Sequence, residues 1–135
     1  MATTSATITI ASSDLVTDNI SFTSTALLTK AGTSTGLEST SGLARTVTAS
    51  ASEYTLYAAA NYTDDKAHKV YLKNIETDAA LYFEVQVANV VVGRLYAGDW
   101  ALIPWSADTT GTNCDIDITP SSSASHTLEH MLVHE

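Results

Sequence analysis

The feature that most constrains the fold of this chain is a repeated alternation of apolar and polar residues with a period of two. It is clearest in residues 68–73, where Val70 and Leu72 face one side while Lys69 and Lys73 face the other. Successive side chains of a β-strand point to opposite faces of its sheet, so the pattern predicts strands with one buried and one solvated face. No segment carries the apolar period of an amphipathic helix.

Short segments of this kind recur along the chain, separated by turns rich in Gly, Asn, Asp and Ser. They are predicted at residues 5–12, 20–30, 43–50, 53–59, 68–73, 81–87, 90–96, 100–105, 114–119 and 126–135. We therefore expect a single all-β domain over residues 1–135, an antiparallel β-sandwich or jelly-roll-like barrel of about 8–10 short strands.

Several parts of this arrangement are predicted in more detail. The segments at 68–73 and 81–87 are expected to form one hairpin. Those at 90–96 and 100–105, joined by a Gly98-Asp99 turn, are expected to form a second hairpin at the centre of the sandwich. Residues 1–12 are predicted to be an N-terminal strand or arm. Residues 31–42, rich in Gly, Ser and Thr, are predicted to be a flexible loop.

Composition excludes several classes of function. The chain has 135 residues and a net charge of −9, and its six basic residues are scattered. Because direct nucleic-acid binding needs a concentrated basic surface, we expect none. There is no apolar run long enough for a transmembrane helix and no secretory leader pattern, so we expect no membrane partner and synthesis in a cytosol. Cys114 is the sole cysteine, which leaves no internal disulfide.

One motif points to catalysis, and we judge it against a structural alternative. His126-Thr127-Leu128-Glu129-His130 matches the H-x-x-E-H pattern of inverted zinc peptidases, which need both histidines on one helical turn. The surrounding residues suit a strand equally well, and on a strand the two histidines stand about 13 Å apart. His126, His130 and His134 then share one face, which we interpret as the outward face of an edge strand. Equivalent histidines gathering around a three-fold axis are the alternative.

No other motif specifies a reaction. The chain has no G-x-S-x-G, G-x-G-x-x-G or Walker loop, and Cys114 lacks a partner base in the sequence. We expect a protein that is not an enzyme and that has no metal and no cofactor.

Aromatic side chains are the best recognition candidates, because aromatics are enriched where proteins bind each other or sugars. A core role competes with this, and an odd spacing on one strand predicts that Trp100 and Trp105 face opposite sides. The arm and the Gly/Ser/Thr loop add apolar residues to the set. The candidate interface residues are Ile8, Ile10, Leu37, Tyr82, Arg94, Tyr96, Trp100 and Trp105.

Three segments together carry a resemblance. They are K-V-Y-L-K-N at 69–74, V-G-R-L-Y-A-G-D-W-A-L-I-P-W at 92–105, and D-I-D-I-T-P at 115–120 leading into T-L-E-H-M-L-V-H-E at 127–135. In this order they resemble small virion-associated structural proteins of tailed bacteriophages, particularly marine and cyanobacterial ones. The resemblance covers about half the chain, residues 69–135.

The resemblance implies a non-enzymatic protein present in many copies on a virion. The first expectation is a capsid decoration (cement) protein on the outer surface of the head, homotrimeric, whose partner is the major capsid protein of the same phage. The alternative within the virion is a neck or tail structural protein. An alternative from another class is a carbohydrate-binding module for a host surface, with Trp100, Trp105 and tyrosines stacking on sugar rings.

Overall fold

Strands make up nearly all of the regular structure. The computed structural model describes residues 2–110 and 114–135, so Met1 of the predicted arm lies outside the described residues. Over the described residues there are eleven strands and one short 3-10 turn, Ala59–Asn61. The strands are β1 (Ser5–Ser12), β2 (Ile20–Leu27), β3 (Ser39–Thr40), β4 (Ala44–Thr48), β5 (Tyr54–Tyr57), β6 (His68–Asn74), β7 (Phe83–Val87), β8 (Val90–Leu95), β9 (Trp100–Trp105), β10 (Ile116–Pro120) and β11 (His126–His134). The all-β prediction is confirmed.

Two antiparallel sheets form a sandwich. One has four strands in the order β5-β10-β7-β8. In the other, β11 is central: β6 and then β9 lie on one side of it, and β3 and β4 pair with its other side. No helix in the described part of the chain has the length and apolarity needed to span a membrane.

The core lies between these sheets and follows directly from the alternation. Strand β6 buries every second residue from His68 to Asn74, and β11 does the same from His126 to Leu132. Their inner faces meet those of β7 and β10 across the sandwich. The largest buried cluster contains Tyr57, Ala59, Val70, Leu72, Phe83, Val85, Leu95, Trp105, Ala107, Ile116, Ile118, Leu128 and Leu132.

Both hairpins predicted within the sandwich are wrong. Strand β6 pairs with β11 and β9, whereas β7 pairs with β10 and β8, so the segment after β6 crosses to the other sheet. Strands β8 and β9 are edge strands of different sheets, and the Gly98 turn between them is a second crossing. The hairpin that does form joins β7 to β8 through Ala88-Asn89, both with positive φ, as a two-residue β-turn requires.

Asn74 holds the two crossings together. Its fully buried side-chain amide donates to the carbonyls of Leu81 and Leu95, both at 3.0 Å, and its Oδ1 accepts from the Glu76 amide. Its backbone also exchanges hydrogen bonds with the Gly98-Asp99 turn. Gly98 has φ +85°, a conformation that favours glycine. One side chain thus ties the end of β6 to the start of β7 and the end of β8.

The N-terminal arm is a separate two-stranded sheet formed by β1 and β2, with all eight residues of each strand in register. It is fastened to the sandwich at its base. The Leu28 amide donates to the Thr4 carbonyl at 2.8 Å, and Thr4 Oγ1 donates to the Leu37 carbonyl at 2.7 Å. Leu28 and Leu37 are buried together with Val133 of β11.

Residues 31–42, the predicted Gly/Ser/Thr loop, consist mostly of turns, and the segment is anchored to the rest of the molecule. Leu37 is fully buried, and Ser39–Thr40 pairs with β11. A Cβ at Gly36 would stand 2.5 Å from the Ala2 carbonyl oxygen, so only glycine permits the N-terminal segment to pass this close. This segment secures the base of the arm.

Candidate interaction surface

Two of the predicted interface residues lie in the interior and leave the set. Leu37 is buried because it packs with Leu28 under the arm. Trp105 is only 4% exposed, lies edge-on to Tyr62 at 5.4 Å between ring centroids, and donates from Nε1 to the Cys114 carbonyl at 2.6 Å. The expectation that the two tryptophans face opposite sides is confirmed, since Trp100 is half exposed.

The arm has two chemically different faces. One carries paired threonines: Thr7 and Thr25 share a hydroxyl hydrogen bond of 2.8 Å, and Thr9 and Thr23 share one of 3.1 Å. These pairs follow from the register, which places the partners directly opposite each other. This face satisfies its own polar groups, and Leu27 at its base is its one large apolar side chain.

The opposite face of the arm is apolar and is covered only at its base. Ala6 and Ile8 lie against the sandwich and are half buried. Further out, Ile10 and Phe22 stand directly opposite each other and are 51% and 50% exposed. Ile20 continues the same face towards the tip and is also exposed. A two-stranded sheet gains little stability alone, and an exposed apolar face of this kind is typical of a surface that packs against another molecule.

A groove of about 440 Å³ lies between the base of the arm and the outer face of the five-stranded sheet. Its wall comprises residues 4–8 and Leu28. Its floor is formed by Tyr71, Lys73, Trp100, Leu102, Met131 and Val133. Two predicted interface residues, Ile8 and Trp100, therefore line the same groove, and Ile10 follows Ile8 along the wall strand. The floor is mainly apolar, as are the grooves in which proteins bind segments of a partner.

The sheet face that supplies this floor is locally basic. Its cross-strand register places Arg45, Glu129, Lys73 and Trp100 in one row. Arg45 forms a salt bridge to Glu129 at 3.1 Å. Burial and the nearby Glu129 carboxylate both raise the pKa of Tyr71, whose hydroxyl lies 3.4 Å from Glu129 Oε1.

A second surface brings together three more predicted residues: Tyr82, Arg94 and Tyr96. The two tyrosine rings lie 5.4 Å apart at 52°, and the Arg94 guanidinium lies 4.8 Å from the centre of the Tyr82 ring. Arg94 also forms a salt bridge to Glu84 at 3.2 Å. Hydrogen bonds from Arg94 to Tyr96 and Glu84 raise the pKa of the guanidinium further. We call this cluster the tyrosine–arginine patch.

The patch and the groove lie on opposite sides of the molecule. Phe83 and Val85 of β7 point into the core, so Tyr82 and Glu84 point outward from the four-stranded sheet. The groove lies on the outer face of the other sheet. Sequence reasoning did not find this arrangement because it requires the β7–β8 pairing. The turn that makes this pairing carries only a weak signal, since Asn89 favours positive φ and Ala88 does not.

The histidines occupy the opposite position from that predicted. Strand β11 is central rather than an edge, and His126 and His130 are buried among Leu128 and Leu132. The sequence did indicate this burial, because His126, Leu128, His130 and Leu132 are spaced two residues apart and so lie on the same face of a strand. The zinc-peptidase geometry is absent, since the whole H-x-x-E-H motif lies on this strand.

Each buried histidine has a defined environment. His130 Nδ1 lies 2.8 Å from the Tyr57 hydroxyl and its Nε2 3.0 Å from Thr46 Oγ1. Burial lowers the pKa of His130 and raises that of Tyr57. His126 bonds Ser121 Oγ at 3.0 Å and the Ala124 carbonyl at 2.7 Å, which ties the β10–β11 turn in place.

His68 lies at the other end of the sandwich, in a ring cluster with Tyr62, Trp105 and His134. Burial lowers the pKa of His68, only partly opposed by the Thr63 backbone. Within residues 2–110 and 114–135, no group of three or more His, Cys, Asp or Glu side chains is arranged to hold a metal ion.

Comparisons with protein-family models, with curated proteins and with solved structures return no match for this chain. The resemblance to phage virion proteins therefore stays a prediction, and the arguments that follow rest on the surfaces just described.

Proposed function

We propose that this chain is a non-enzymatic structural protein of a tailed-phage virion, specifically a decoration protein that binds the assembled head and stabilises it. The observation that carries the proposal is the pair of interaction surfaces on opposite faces of one small sandwich. A protein that bridges neighbouring subunits needs at least two such surfaces. The apolar arm with its groove is one, and the tyrosine–arginine patch is the other.

We assign the patch to the contact with the major capsid protein. Tyrosine and arginine are the residue types that most often dominate binding energy at protein interfaces. The Tyr82–Arg94–Tyr96 contacts already hold these side chains in one arrangement, so little side-chain entropy is lost on binding. Binding only the assembled shell stabilises that state by mass action, and many copies act together.

The carbohydrate-binding alternative has less support. It relied on Trp105 as well as Trp100, and Trp105 is buried. The two tyrosine rings of the patch, exposed Tyr96 and half-buried Tyr82, are tilted by 52° and do not form the flat platform that a sugar ring would stack on. A neck or tail location remains the alternative within the virion, because the same two surfaces would serve a bridging role there.

The test uses expanded capsids that lack this protein, to which the purified chain is added. We expect saturable binding and a higher temperature of capsid disruption, measured by release of packaged DNA. Tyr96→Ala is expected to raise the dissociation constant at least about tenfold. Tyr54→Ala is the matched control, since Tyr54 has nearly the same exposure, 46% against 47%, and lies in β5 at the other edge of the same sheet.

Absence of binding to expanded capsids would refute the decoration role. Binding to isolated necks or tails instead would move the protein to that part of the virion. Equal loss of binding in Tyr96→Ala and Tyr54→Ala would exclude the patch as the contact.

A further inference from the structure

We propose that the arm of one copy docks into the groove of a second copy, so that the chains join head to tail through arm exchange. The contact uses the apolar face of the arm tip on one side and the outer face of the five-stranded sheet on the other. This inference stands independently of the virion assignment, because it concerns only contacts between copies of this chain.

Exposed apolar side chains are concentrated in the arm. Of the fourteen large apolar residues that are exposed in the described part of the chain, six lie between residues 10 and 27: Ile10, Leu15, Val16, Ile20, Phe22 and Leu27. Five of them belong to the tip or the apolar face. Within the described residues, β1 and β2 pair only with each other, so nothing in the same copy covers the outer half of that face.

The groove offers the matching surface. Its volume of about 440 Å³ is large enough for several side chains, and Trp100 at its edge is half exposed. The base of the arm in the same copy already forms one wall through Ala6 and Ile8. An arm tip from a second copy would extend this apolar layer over Trp100 and Leu102 and would bury Phe22.

Charge identifies a second copy as the occupant. Each chain carries a net charge of −9, so two copies repel unless the contact is neutral or complementary. The strands of the arm contain no charged residue, and the turn at its tip contains Asp14 and Asp18. The receiving sheet face carries Arg45, Lys69 and Lys73, three of the six basic residues, and one carboxylate, Glu129, which pairs with Arg45. Lys69 and Lys73 give this face its net positive charge. The acidic tip and the basic face complement each other within one sequence.

The dimensions also suit exchange. Eight residues per strand give the arm a length of about 26 Å, enough to reach beyond its own sandwich. Arm and groove are different surfaces, so a head-to-tail series of these contacts is heterologous and closes into a ring when the rotation between copies permits it. A cyclic trimer is one such closure.

The first experiment measures oligomeric state by sedimentation and light scattering across a concentration series. We expect the unmodified chain to associate, and Phe22→Ser to raise the dissociation constant at least about tenfold, because it removes the largest apolar side chain that the arm brings to the contact. Leu27→Ser is the matched control. Leu27 is 58% exposed on the same arm but lies on the threonine face, so association should be unchanged. Circular dichroism confirms that each variant is folded.

The second experiment mixes two defective variants. Phe22→Ser damages the arm, and Trp100→Asp damages the groove. Each variant alone should be monomeric, whereas the mixture should form heterodimers, in which the intact arm of the Trp100→Asp chain enters the intact groove of the Phe22→Ser chain. A contact of arm with arm, or of groove with groove, would not give this result, because one of the two variants would then associate by itself.

Three outcomes would overturn the proposal. One is an unmodified chain that remains monomeric up to about 100 µM, a concentration well above the dissociation constants of specific oligomers. Another is equal dissociation in Phe22→Ser and Leu27→Ser. The last is a mixture of the two defective variants that stays monomeric. Binding of the arm to capsid protein while the free chain is monomeric would assign the arm to a different occupant.

Discussion

At the scale of single residues, Asn74 connects parts of the fold that are distant in sequence. Two chain crossings between the sheets meet at its side chain, where its amide donates to two backbone carbonyls. Both crossings are short and irregular, so their carbonyls cannot be paired by a sheet ladder. The side-chain amide of Asn74 pairs with these carbonyls in place of a neighbouring strand.

We predict that Asn74→Ala lowers the free energy of unfolding by about 3 kcal/mol, because it leaves the Leu81 and Leu95 carbonyls without their donors. Urea denaturation measures the change. Asn61→Ala is the control, since Asn61 is exposed, and should stay within about 0.5 kcal/mol of the unmodified protein. Equal stability of both variants would show that the crossings do not depend on this side chain.

At the scale of elements, the β7–β8 hairpin depends on an unusual turn residue. Ala88 has φ +54°, in the left-handed region that costs a residue with a Cβ about 1 kcal/mol. Its neighbour Asn89, at φ +61°, is a residue type that tolerates this conformation. The hairpin matters for recognition because it places Tyr82 and Arg94 beside each other.

Ala88→Gly is therefore predicted to raise the free energy of unfolding by about 0.5 kcal/mol, the strain relieved less the extra entropy of an unfolded glycine. Ala97→Gly makes the same substitution in the loop before Gly98, at a position without positive φ, and should lower the free energy of unfolding by a similar amount. Guanidinium denaturation of both variants checks the opposite signs. Two changes of the same sign would contradict the turn argument.

Alternation in the sequence located nearly every strand and the face that each buries, because it depends only on local geometry. It did not determine the pairing of consecutive strands. A polar turn such as residues 96–99 fits a hairpin and a crossing between sheets equally well, and the difference lies in long-range contacts such as those of Asn74. The tyrosine–arginine patch could not be predicted from the sequence for the same reason, because its residues come together only across the β7–β8 pair.

The position of the arm is a second feature that the sequence did not reveal. Its two strands were predictable, and Ile8 and Ile10 were correctly placed on one strand. The sequence did not show that the arm stands apart from the sandwich. That arrangement depends on packing at Leu37 and Gly36, which fix only the base of the arm. Residues 31–42 resemble a flexible loop in composition, yet burial of one leucine decides their structure.

At the scale of the whole molecule, none of the four histidines is exposed. His68, His126 and His130 are buried, and His134 is half buried beside His68. Two of these histidines link folding to pH. The sign of this linkage follows from His68 and His130, whose pKa values are lowered by burial.

We predict that the free energy of unfolding falls as pH decreases from about 7.5 to about 5.5. An unfolded histidine binds a proton near pH 6.5, whereas these two buried histidines bind one only at lower pH. Below about pH 6.5 the unfolded state therefore holds more protons, and stability is lost until the folded state is protonated too. The contribution of Glu135, whose pKa is lowered chiefly by the Ala31 amide, is lost only at more acidic pH.

Urea denaturation across this range measures the slope, which should correspond to the binding of up to about two protons on unfolding. His68→Phe keeps a ring against Tyr62 and Trp105 but removes one titrating group, so it should reduce the slope by about one proton. The ionisable side chains that influence His68 electrostatically are His134, Glu135 and Lys69, and all of them remain in this variant. A slope that is unchanged in His68→Phe would assign the pH dependence to other groups, and a stability independent of pH would contradict the linkage altogether.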